Sequence, residues 1–231
     1  MAEEYFGGID PGEPVERMVA PAPAAHRARL VVEDRVELPR LYLAWPSPAL
    51  FVAGDAELDL AADILANGRT SRLYKRLIHD RRIATELAAG QTSRELAGTF
   101  QILVTAAPGH TLDELEAAVF EELAGFSADG PTEAEVERGR AQAEAAFIFR
   151  AQTLGGFGGK VDQLNAYNTY LGDPGFFSRD LGRYVAATAA DLQSAVAAWL
   201  DPEKAVALSV VPAGQAGMAV RGATPFEGRA S

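Results

Sequence analysis

Gly98-Thr-Phe-Gln-Ile-Leu-Val-Thr-Ala106 and, shortly after it, Thr111-Leu-Asp-Glu114 mark a change of period along the chain. In the first stretch Phe100, Ile102 and Val104 point one way while Thr99, Gln101 and Thr105 point the other, the two-residue alternation of a strand with one face in a core. The second is a capping box, in which the threonine and the glutamate three residues later satisfy two of the free N–H groups of a helix start. Leu112, Leu115, Val119, Leu123 and Phe126 then recur on one helical face. A strand and an amphipathic helix thus follow one another directly.

Upstream, Ala84–Thr92 reads as a second strand, close enough to form a hairpin with 98–106. Arg29–Val36 and Leu41–Trp45 read as an opening pair, stopped at Pro46 and Pro48, which have no N–H to give a ladder. Asp55 is expected to cap a helix with Leu58, Ala61, Ala62 and Leu65 on one face, ended by Asn67-Gly68. A short helix from about Thr70 carries Leu73 and Leu77. Downstream, Pro131-Thr132-Glu-Ala-Glu135 opens a long helix through Phe147 towards Thr153. Thr188-Ala-Ala-Asp191 opens another, with Leu192, Ala195, Val196 and Trp199 facing inward. A last strand, Lys204–Val211, alternates Val206, Leu208 and Val210 with small residues. Strands in hairpin order, then helices, then one returning strand predict an α+β fold, with a mostly antiparallel sheet and helices packed on one face.

The ends differ in character. Residues 7–25 are rich in Pro, Gly and Ala without apolar periodicity, and residues 213–231 are similar, so both read as linkers around a domain spanning 26–212. Net charge is −11, from 32 acidic against 21 basic residues, which disfavours a phosphate backbone as partner. The arginines between Arg69 and Arg82 fall at helical spacing and read as a solvated face. There is no cysteine, which removes disulfides, thiolate metal sites and a thiol nucleophile. No apolar run is long enough for a membrane span.

His26, His79 and His110 lie far apart, and neither H-E-x-x-H nor H-x-x-E-H occurs; in His110-Thr-Leu-Asp-Glu114 the acids serve a helix start. No residue qualifies as catalytic or as a metal ligand. The cluster Gly155-Gly156-Phe157-Gly158-Gly159-Lys160 fails as a P-loop, because Leu154 stands where its first glycine belongs and Val161 follows the lysine. Gly155, Gly156, Gly158 and Gly159 are instead expected to form a hinge or an interface. Asp55, Glu57 and Asp59 diverge at i,i+2 spacing and make no acid–base pair. Ser71 and Ser178 have no nucleophile motif around them and read as helix-start residues.

Taken in order, several segments resemble a known family: Glu4-Tyr-Phe-Gly-Gly-Ile9, Leu38-Pro-Arg-Leu-Tyr-Leu-Ala-Trp45, Asn67-Gly-Arg-Thr-Ser-Arg-Leu-Tyr-Lys-Arg-Leu77, Pro108-Gly109, Gly130-Pro-Thr-Glu133, Gly172-Asp-Pro174 and Val185-Ala-Ala-Thr-Ala-Ala-Asp191. The series is similar to the second lobe of a half of the insulinase/pitrilysin-type zinc peptidases, the superfamily of mitochondrial processing peptidase. The resemblance covers residues 4 to 212. It implies a lobe with no activity of its own, residues 1–25 being the end of a preceding lobe and a linker. It implies zinc in that preceding catalytic lobe, a second peptidase half as partner, and an extended peptide as substrate. Family members are often exported, which points to a bacterial periplasm or envelope. In the half opposite the zinc, an arginine and a tyrosine seven positions apart hold substrate; here the matching positions are Ile78 and Thr85, which supply neither group. A scaffold subunit of the same fold is the rival expectation.

Overall fold

The computed structural model describes residues 1–10, 12, 13, 16 and 26–226, so most of the expected linker at 7–25, and residues 227–231, lie outside the described residues. After a short helix α1 (Ala2–Phe6), the order is β1 (Ala28–Asp34), β2 (Arg40–Ser47), α2 (Asp55–Ala66), a π-helical segment (Tyr74–Asp80), β3 (Ala84–Thr92) and β4 (Gly98–Ala106). Helices α3 (Leu112–Asp129), α4 (Glu133–Gln152), α5 (Lys160–Leu171), α6 (Phe177–Ala186) and α7 (Ala189–Trp199) follow. The chain then returns as β5 (Val206–Pro212) and ends in β6 (Thr224–Pro225).

One sheet of order β3-β4-β2-β5-β1-β6 results. It is mostly antiparallel, and β5 and β6 run parallel to β1. The α+β expectation holds, and so does the β3–β4 hairpin. The opening pair does not: β5 inserts between β1 and β2, with Leu208 in register with both Leu30 and Tyr42. Alternation identifies a strand but not its neighbour, which is chosen by cross-strand packing over long sequence separation.

Leu41, Leu43 and Trp45 of β2 and Phe100, Ile102 and Val104 of β4 are buried; α3 and α7 lie over these strands and α2 packs against β3. The Trp45 indole N–H donates to the Asp201 carbonyl (2.9 Å), tying the sheet to the end of α7. In β5 the inward residues are Ala207, Ser209 and Val211; Val206, Leu208 and Val210 take the other face and stay half-buried. Leu30, Leu208, Tyr42 and Leu103 stand side by side on that outer face, all half-buried. Exposed Thr99 and Gln101 share it.

All three capping boxes form, at Thr111, Thr132 and Thr188. Asp55 does not cap α2. Gly54 holds the cap position with φ 94°, its N–H bonded to the Glu57 carboxylate (2.9 Å), and Asp55 turns into the interior. The stretch after Pro212 was expected to leave the domain, yet Val220 is buried in the core and β6 extends the sheet. Helices α5 and α6 carry no side-chain capping bond; Ser178, expected at a helix start, is the second residue of α6. The expected solvated face is not solvated throughout: the Arg72 guanidinium forks onto Glu135 (2.9 and 2.7 Å), reaches the Gly130 carbonyl (3.0 Å) and lies over Phe126. Arg76 pairs with Glu121 and Glu122. Acids on α3 and α4 meet these arginines because tertiary packing brings those helices across them.

Candidate functional site

Two places concentrate exposed or polar chemistry. The first is the outer face of the β3–β4 hairpin. β3 is one of the two edge strands of the sheet, and along it runs an open groove of about 540 Å3. Its floor includes Ala88, Gly90 and Thr92 of β3, opposite Leu103, Gln101 and Thr99 of β4 respectively. Thr85 lies further along β3 as the extra residue of a bulge, between Ala84 opposite Ala106 and Glu86 opposite Thr105. Thr85 is exposed, and Ile78 packs against the core from the π-helical segment.

The second is a polar cavity of about 270 Å3 among α2, α4, α5, α6 and the tip of the hairpin. The buried Asp55 carboxylate accepts the Phe51 N–H (2.9 Å), the Gln91 amide (2.8 Å), the Ser93 hydroxyl and the Arg183 guanidinium (2.8 Å). Arg183 also donates to Asp180 (2.9 Å), which accepts the Tyr167 hydroxyl (2.7 Å). Asp59 accepts the Tyr184 hydroxyl (2.7 Å). Burial pushes the Asp59 carboxyl up to about 6, the Tyr184 hydrogen bond opposing and the neighbouring Asp55 and Asp63 charges adding. Asp180 is raised as well, chiefly by burial. At i,i+2 spacing Glu57 diverges from both Asp55 and Asp59. The pair that matters is Asp55 and Asp59, four apart and therefore on one face. Its basic partner comes from α6, which no sequence spacing reveals. The chain of hydrogen bonds from Asp55 through Arg183 and Asp180 to Tyr167 marks this cluster as a strut holding the α5–α6 arm to α2.

The glycine cluster joins α4 to α5. Gly156 and Gly158 take φ +84° and +77°, and a Cβ on Gly159 would lie 2.7 Å from the Gly155 carbonyl oxygen. The Gly158 N–H donates to Asp162 (2.8 Å), and Leu154, Phe157 and Val161 stand exposed around the loop.

Among the described residues, no three His, Cys, Asp or Glu side chains gather so as to hold a metal ion. His79 pairs with Asp80 and His110 with Glu114, both at the surface. The Ser71 hydroxyl donates to the Gly68 carbonyl (2.7 Å), a helix-start role with no base beside it. Among the described residues no helix is long and apolar enough to cross a membrane.

Fold and side chains together define an α+β lobe with helices on one face of a mostly antiparallel sheet. Residues 1–143 match the family model described as the peptidase M16 inactive domain, and the chain belongs to that family. A protease from Helicobacter pylori has a similar structure (TM-score 0.75, 18% identity, covering 91% of this chain and 51% of that one). So do a peptidase M16 inactive domain from Pseudomonas fluorescens (0.71, 19%, 87% and 47%) and a chain of Complex III2 from Candida albicans (0.69, 15%, 91% and 51%). The chain thus spans about half the length of these solved relatives. No curated protein matches the sequence. The resemblance to the insulinase/pitrilysin-type second lobe therefore holds.

Proposed function

We propose that this chain is the non-catalytic second lobe of a zinc endopeptidase half, supporting the zinc-bearing lobe and lining the peptide chamber. The observation that carries this reading is the one-sided sheet: helices cover one face, while Leu30, Leu208, Tyr42 and Leu103 form a half-buried apolar row on the other. A face of that kind suits a wall against which a second surface or an extended chain can lie. The free edge of β3 suits addition of a peptide strand through main-chain hydrogen bonds. Zinc and its activated water would belong to the preceding catalytic lobe. This lobe's part is to position the peptide and keep water away from it. The Ile78 and Thr85 positions, lacking arginine and tyrosine, favour the zinc-bearing half over the opposite one.

The test mixes the purified chain with a separately expressed catalytic lobe carrying H-x-x-E-H, and follows metal content and peptide cleavage. Alone, the chain is expected to hold no stoichiometric zinc and to cleave nothing; with the lobe, cleavage should rise. One tightly bound zinc and peptidase activity in the chain alone would end the proposal. Stable association without any gain in cleavage would favour a scaffold subunit, a role for which the fold's occurrence in Complex III2 is the motivating observation.

A further inference from the structure

We propose that the groove over β3 and β4 takes an extended peptide segment and that Arg94 selects an acidic side chain on it. The inference rests on the peptide-lining role proposed above and names the chemistry it would prefer. Among the described residues Arg94 is the single charged one lining the groove, whose floor is otherwise small, apolar or uncharged polar. Among the described residues its guanidinium makes no hydrogen bond or ion pair, whereas Arg72, Arg76 and Arg183 are each held by carboxylates. Its backbone is anchored: the Arg94 carbonyl accepts the Leu50 N–H (3.0 Å), so the loop presents the side chain from a fixed base.

A peptide strand added along β3 would project alternate side chains over the outer face, where Thr92, Thr99 and Gln101 offer uncharged hydrogen-bonding groups. A carboxylate reaching the hairpin end would meet Arg94 as an unshared fork of donors. A lysine or arginine there would meet like charge. Glu95, next in the chain, is exposed but does not line the groove. The chain carries a net charge of −11, so selection of an acidic group cannot come from the overall field and must come from this local cation.

The test is fluorescence anisotropy on the whole chain, with labelled extended peptides blocked at both ends and carrying Glu, Gln or Lys at one central position. Blocked termini ensure that any carboxylate is a side chain. The Glu peptide should bind about three- to tenfold tighter than the Gln peptide, with the advantage shrinking as salt rises. Arg94→Ala should level the two, and Arg94→Glu should turn the preference to Lys. Arg69→Ala, which removes an exposed arginine outside the groove, should leave the preference unchanged. Equal binding of Glu and Gln peptides would overturn the role of Arg94 while leaving the peptide-lining role standing. An equal loss of preference with Arg69→Ala would assign it to general electrostatics and overturn the inference. Failure of every peptide to bind would remove both readings.

Discussion

Arg183 and Asp55, 128 positions apart, meet across 2.8 Å and join α6 to the first turn of α2. Asp180 and Asp59 stand in the same cluster, so Arg183 is the cation that lets several carboxylates share one interior. Removing it while keeping them is the harshest single change available there. Arg183→Met is expected to cost about 3–5 kcal/mol in urea unfolding, because it strands buried charge. The double variant Asp55→Asn/Arg183→Met should recover part of that loss. A cost under about 1 kcal/mol, the range of a surface pair, would show that the cluster is not a strut.

Asp59 makes the same region pH-dependent. Its carboxyl is raised from 3.8 to about 6, chiefly by burial, so folding favours the protonated form. The stabilisation is complete below pH 3.8 and is lost as pH rises through about 6. Asp59→Asn can still accept the Tyr184 hydroxyl but cannot ionise. It is expected to gain about 1–2 kcal/mol at neutral pH and to flatten the stability profile between those values. Unfolding midpoints measured across that range decide it; an unchanged slope would contradict the assignment.

Arg72 and Glu135 work in the opposite sense. The forked hydrogen bonds from Arg72 are the main cause that lowers the Glu135 carboxyl to about 2. Stability from this group is present above 4.5 and lost as pH falls towards 2. Arg72→Lys keeps the charge but loses the planar fork and the contact with Phe126, and should cost about 1–3 kcal/mol at neutral pH. It should also weaken the acid limb of the profile. Full stability in the lysine variant would mean that charge alone matters there.

Gly98 is required by space. A Cβ there would lie 2.4 Å from the Ser47 hydroxyl and 2.6 Å from the Pro48 carbonyl oxygen. The hydroxyl can rotate away, but the carbonyl is backbone, so the start of β4 would have to shift. Gly98→Ala is expected to lower stability by about 2–3 kcal/mol. Gly125→Ala, in α3 with nothing within 4 Å, should be neutral or stabilising by up to about 1 kcal/mol. Thermal unfolding of the two variants separates a steric requirement from a general effect of glycine.

Much of the lobe was legible where short-range chemistry decides. The bounds of β3 and β4, Ala84–Thr92 and Gly98–Ala106, follow from alternation and turn residues. The boxes at Thr111, Thr132 and Thr188 each close over three residues. Legibility ended at α5 and α6, whose starts at Gly159 and Phe176 have no capping side chain. It ended also at Asp55, which looked like a cap and serves as the centre of a buried cluster.

By itself the amino-acid sequence determined strands β1 to β5 and helices α2, α3, α4 and α7, the inward faces of β2, β4 and α3, and the absence of an H-x-x-E-H motif, because periods and caps act over a few residues. The tertiary structure alone decided that β5 separates β1 from β2, that the chain after Pro212 returns to the sheet, and that Arg183 finds Asp55. Each of these depends on the packing of residues far apart in the chain. Such partners are selected by the whole core, and no local pattern carries their address.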